Sequence, residues 1–147
     1  MTRGRPMRRV ALGAVLCIAL SAGDGNAQPA SRECQAAENV FVMTARSPSP
    51  FRVALGIRPA RPAVSTPFVV ELEVCDNDGR RVERLAIDAT IPAHRHGMNY
   101  KPELVAIGNG RYEARGFLFH MPGRWEITLS LYDGTASSQL NHVLELR

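Results

Sequence analysis

Two short segments hold most of the soft donor side chains in this 147-residue chain. One reads Ala93-His94-Arg95-His96-Gly97-Met98-Asn99-Tyr100; the other reads Phe119-His120-Met121-Pro122-Gly123-Arg124-Trp125. Three of the four histidines lie there, and Met98 and Met121 are two of the three methionines beyond residue 27. Thioether sulfur is a soft donor that favours Cu(I), whereas imidazole serves copper in either oxidation state, so the mixture suits copper better than other common metals. Zinc would more often recruit cysteine or carboxylate as well. His94, His96 and Met98 are spaced i, i+2, i+4, and an extended backbone would project all three to one face. Pro92 and Gly97 argue instead for an irregular strand end, the kind of loop in which sites are held by a rigid sheet. His120 and Met121 are adjacent, so an extended chain aims them oppositely and one of the two is expected to ligate. Phe119, Pro122 and Trp125 would supply an apolar shell.

The competing reading treats both segments as polar turns of a β domain. Met121-Pro122-Gly123 makes a good tight turn, and a methionine packs well at its base. Arg95 and Arg124 read as solvated charges or turn caps. His142 shares phase with Leu140, Leu144 and Leu146 and reads as a half-buried structural histidine. No His-Glu-x-x-His helix, Gly-x-Ser-x-Gly elbow or glycine-rich phosphate loop is present, so the sequence gives no support for catalysis.

The elements that must position these residues have period two. Residues 67–75 are the clearest strand, with Phe68, Val70, Leu72 and Val74 facing one way and Glu71 and Glu73 the other. Asp76-Asn77-Asp78-Gly79 is a turn, and residues 82–91 follow as a strand with Leu85, Ile87, Ala89 and Ile91 in phase. Residues 103–107, 111–119, 124–132 and 137–146 read as further strands, separated by Gly108-Asn109-Gly110 and Asp133-Gly134 turns. Trp125, Ile127, Leu129 and Leu131 share a face, with Trp125 expected in the core. About seven short strands with regular turn signals predict an all-β, immunoglobulin-like antiparallel β-sandwich. A small β-barrel is the alternative. Residues 33–43 read either as a short helix or as an irregular lead-in.

Arg3, Arg5, Arg8 and Arg9 precede an apolar run over residues 10–22, and Gly25-Asn26-Ala27 offers small residues for cleavage. This predicts a signal peptide over 1–27, an irregular lead-in over 28–50 and a β-sandwich over 51–147. The apolar run is about 13 residues, short of the roughly 20 that span a bilayer. A periplasmic or secreted protein is therefore expected, with an uncleaved N-terminal anchor as the alternative. Net charge is +4 overall, but four arginines and Asp24 belong to the leader, leaving 14 basic and 13 acidic residues. A domain so nearly balanced gives no electrostatic footprint for nucleic acid. Of three cysteines, Cys17 lies in the leader, leaving Cys34 and Cys75. In an exported protein such a pair is expected to form a disulfide; two buried thiols or thiolate copper ligands are the alternatives.

Residues 82–131 resemble the YtkA-like/FixH-like family of small exported or membrane-anchored β domains. The resemblance is carried by Ile91-Pro92-Ala93-His94-Arg95-His96-Gly97-Met98-Asn99, Pro102, Gly110-Arg111-Tyr112 and Phe119-His120-Met121-Pro122-Gly123-Arg124-Trp125. It implies an immunoglobulin-like fold and a link to copper delivery and cytochrome oxidase assembly. By resemblance, His94, His96, Met98, His120 and Met121 are the metal-site positions. One departure is Ile91, which stands where the family pattern carries a methionine. These observations together lead to the expectation of a copper-binding chaperone or tolerance factor, not an enzyme. Its partner would be an exported protein that delivers or receives copper, such as a cytochrome oxidase or periplasmic cytochrome. The rival expectation is a non-metal immunoglobulin-like interaction module.

Overall fold

Alternating apolar and polar side chains dominate the chain beyond residue 66, and that period produces strands with one face buried. In the computed structural model the described residues are 1, 34, 39–77, 79–134 and 136–147. The expected leader, Met1 apart, and most of residues 28–38 lie outside them. Ten strands are present among the described residues. They are β1 (Val40–Val42), β2 (Thr44–Ala45), β3 (Arg52–Arg58), β4 (Phe68–Asp76), β5 (Arg84–Ile91), β6 (His96–Gly97), β7 (Glu103–Gly108), β8 (Arg111–Phe117), β9 (Gly123–Tyr132) and β10 (Ser137–Leu146).

Every pairing is antiparallel, and the strands form two five-stranded sheets, β1-β3-β4-β8-β7 and β2-β10-β9-β5-β6. Set aside the three shortest strands, and seven remain in the orders β3-β4-β8-β7 and β10-β9-β5. Lettered A to G along the chain, these are ABED against GFC, the strand order of an immunoglobulin-like sandwich. The expectation of about seven strands undercounts because β1, β2 and β6 are two or three residues long, too short to show any period.

The core lies between the sheets. Val53, Leu55, Val70, Leu72 and Phe117 on one sheet face Ile91, Trp125, Ile127, Leu129 and Leu131 on the other. β3 departs from period two, with residues 53–57 buried throughout. Its outer face is covered locally: Ala54 packs with Cys34, Cys75 and Val40 in a small second cluster. Cys34 and Cys75 form a disulfide with Cα atoms 5.2 Å apart. Thiolate copper ligation therefore drops out. The bond lies on the outer face of the first sheet, unlike the inter-sheet disulfide of antibody domains.

Within the lead-in, residues 40–42 and 44–45 form strands, while 46–50 are irregular. β1 extends the first sheet against β3, β2 extends the second against β10, and Met43 between them is buried in the core. The chain thus crosses from sheet to sheet and closes one side of the sandwich. No helix among the described residues is long and apolar enough to cross a membrane.

Candidate metal centre

Both donor segments lie at one end of the sandwich, where β5 and β8 run out. Pro92 has a fixed φ and no N–H to lose, which suits the first position of a helical turn. Pro92–His94 accordingly forms a single 3₁₀ turn. Arg95 closes it in the left-handed region at φ 50° and donates its N–H to the Pro92 carbonyl at 3.2 Å. The three-residue extended face expected for His94, His96 and Met98 is therefore broken after the first histidine. His94 is exposed on the turn, and among the described residues it makes no ring contact.

Beyond the turn the chain becomes extended again. β6 pairs with the end of β5, placing His96 opposite Ile91 and Gly97 opposite Thr90. The Met98 N–H then donates to the Ala89 carbonyl at 3.2 Å. Residues directly opposite on antiparallel strands share a face. Ile91 and Ala89 are buried, so His96 and Met98 sit on the inner face, at its rim. Met98 packs against the core, whereas His96 stays exposed.

The first half of the second segment, up to Pro122, lies outside the strand ladders, and Gly123–Trp125 open β9. A strand over residues 111–119 was expected, but β8 ends at Phe117, just after Gly116 at φ 84°. A left-handed residue there turns the chain out of register. Three carbonyls beyond the strand find separate donors. Leu118 O accepts from the Tyr100 hydroxyl at 2.7 Å, Phe119 O from the Ser65 N–H at 2.8 Å, and Met121 O from Trp125 Nε1 at 3.1 Å. Phe119 stacks on Trp125 with centroids 4.0 Å apart, and both side chains are fully buried.

This framework brings His96 and His120 together. Their ring centroids are 4.9 Å apart with planes at 55°. His120 also meets Trp125 edge-on at 5.7 Å and 81°. Met121 packs against the core beside them in sequence, as the turn reading has it. His142, on β10, is half-buried away from the pair and stacks on Phe41 at 4.4 Å. Burial holds its imidazole below the usual histidine range.

Two imidazoles on one ion, with metal–nitrogen bonds of about 2.0–2.1 Å, have centroids roughly 4.5–6 Å apart. The His96–His120 spacing falls in that range. Among the described residues no group of three His, Cys, Asp or Glu stands together that could hold a metal. An ion at the pair would therefore draw any further donors from Met98, Met121 or water. Donors of that kind fit a soft, low-coordinate cation.

The residue that sequence reasoning passed over is Tyr100. It follows the first donor segment and has no alternation to mark it, since residues 98–102 are irregular. Burial raises its phenol above the usual tyrosine range, and donation to a carbonyl favours the same neutral form. Compared with protein-family models, curated proteins and solved structures, the chain matches none of them.

Proposed function

We propose that this protein is an exported copper-binding protein of the YtkA-like/FixH-like kind, acting in the periplasm or outside the cell as a copper chaperone or tolerance factor. The observation that carries the reading is the His96–His120 pair at the rim of the sandwich, 4.9 Å between centroids. Met98 and Met121 lie within two residues of those histidines. Copper is the cargo. The two imidazoles anchor it, and the thioethers bias the site toward Cu(I). His94, exposed on its turn, is proposed as a contact for an incoming partner. Delivery needs a site that a partner's ligands can enter, and His96 at the rim is open to them. The partner is another exported protein that supplies or accepts copper, with cytochrome oxidase and periplasmic cytochromes the leading classes.

The test is a thermal melt under anaerobic conditions with and without Cu(I). A cargo that binds only the folded state at a hundredfold excess over Kd adds about 2.7 kcal/mol, a rise in Tm on the order of 10 °C. The rise is expected to vanish in His96→Ala/His120→Ala and to persist in His94→Ala. No rise in the wild type would leave a non-metal interaction module as the reading.

A further inference from the structure

We infer that Tyr100 is a positioning residue for the His96–His120 pair: its hydroxyl, donated to the Leu118 carbonyl, ties together the two segments that carry the imidazoles. The inference rests on the copper reading for its purpose, though not for its geometry. The Met98 N–H bond to Ala89 is the last backbone bond that continues the β5–β6 pairing, and residues 99–102 and 118–122 lie outside the strands. Among the described residues, the 2.7 Å bond from Tyr100 to Leu118 is the one hydrogen bond that joins them. The other two bonds on the second segment come from Ser65, in the exposed loop between β3 and β4, and from buried Trp125, not from the His96 segment.

Burial does not account for Tyr100. The residue is 41% exposed, so its ring is only partly withdrawn from water. What it supplies is the O–H, at a carbonyl two residues before His120. His96 is held by its pairing with Ile91, whereas His120 lies on a segment with no ladder of its own, so a tie between the two sets their spacing, and a site loosened by about 1 Å loses much of its preorganisation.

Tyr100→Phe keeps the ring and removes only the donor. Two readouts are needed. Without metal, NMR cross-relaxation between the ring protons of His96 and His120 is expected in the wild type and is expected to weaken in Tyr100→Phe. With Cu(I), the variant is expected to bind roughly two- to tenfold more weakly, the worth of one net hydrogen bond. In a His120→Ala background the same change should have no further effect on affinity, which a general loss of stability would not reproduce. A wild type that binds no copper, with the cross-relaxation still lost in Tyr100→Phe, would remove the copper reading and leave the positioning role standing. An unchanged ring–ring signal together with unchanged affinity would overturn the inference, as would an equal loss of affinity with and without His120.

Discussion

His96 and His120 meet although they are held by different means. His96 is placed by a two-residue strand against Ile91, and His120 by its edge-on contact with a fully buried Trp125. A rigid aromatic under one imidazole limits its rotamers, which is what a preorganised donor requires. His142 is the contrasting case, a histidine whose role is packing. Its ring lies opposite buried Ile127 and stacks on Phe41, so protonation must place charge in a partly desolvated edge of the core. Its folded-state pKa lies below the unfolded value of 6.5. Between those two values the unfolded chain binds more protons, so stability rises with pH through that window. The contribution is complete above the unfolded value and is lost as pH falls through the folded one. His142→Phe, which retains an aromatic against Phe41, is expected to flatten this part of the acid-side decline. Denaturation midpoints at about pH 7.5 and about pH 5, compared between the two proteins, measure it. An equal decline in both would place the acid sensitivity elsewhere. The clustering of histidine and methionine was legible in sequence, but not which imidazoles would meet. The His94-x-His96 spacing looked like the pair, and the left-handed Arg95 separates the two residues.

The strands of the sandwich were legible wherever alternation ran for six residues or more. β4, β9 and β10 fall within a residue or so of their sequence-based bounds, because each buries one face only. β3 was obscured because Ala54 is covered from outside by the disulfide cluster, which replaces alternation with a continuous buried run. The end of β8 was obscured because Phe119 stays buried after the ladder has stopped, so apolar character outlasts the strand. β1 and β2 form a strap that crosses from one sheet to the other through Met43, and the disulfide between Cys34 and Cys75 fastens the chain ahead of it to β4. A cross-link spanning 41 residues of sequence restricts the unfolded chain considerably. Cys34→Ser/Cys75→Ser is expected to lose roughly 2–4 kcal/mol in chemical denaturation. Copper stoichiometry should be unaffected, since the bond lies on the outer face of the first sheet. Loss of copper binding in a variant that remains folded would show that the strap and the histidine end are coupled.

As a whole the molecule is an immunoglobulin-like sandwich with two imidazoles brought together at one end. Two segments leave the ends of β5 and β8, the first through a 3₁₀ turn and the short strand β6, and their histidines meet beside Trp125. Sequence carries such convergence poorly, because it depends on two strand ends in different sheets arriving at the same edge. The most direct test of the account is an anaerobic titration of residues 28–147 with Cu(I) against a chromophoric chelator, following the emission of Trp125 in parallel. The chain has one tryptophan, and the His120 ring lies 5.7 Å from it, so its emission responds to a change at that imidazole. The account predicts a single-equivalent endpoint at which the chelator loses copper and Trp125 emission changes together, with both signals absent in His96→Ala/His120→Ala. A flat titration, or an endpoint that survives the loss of both histidines, would contradict it.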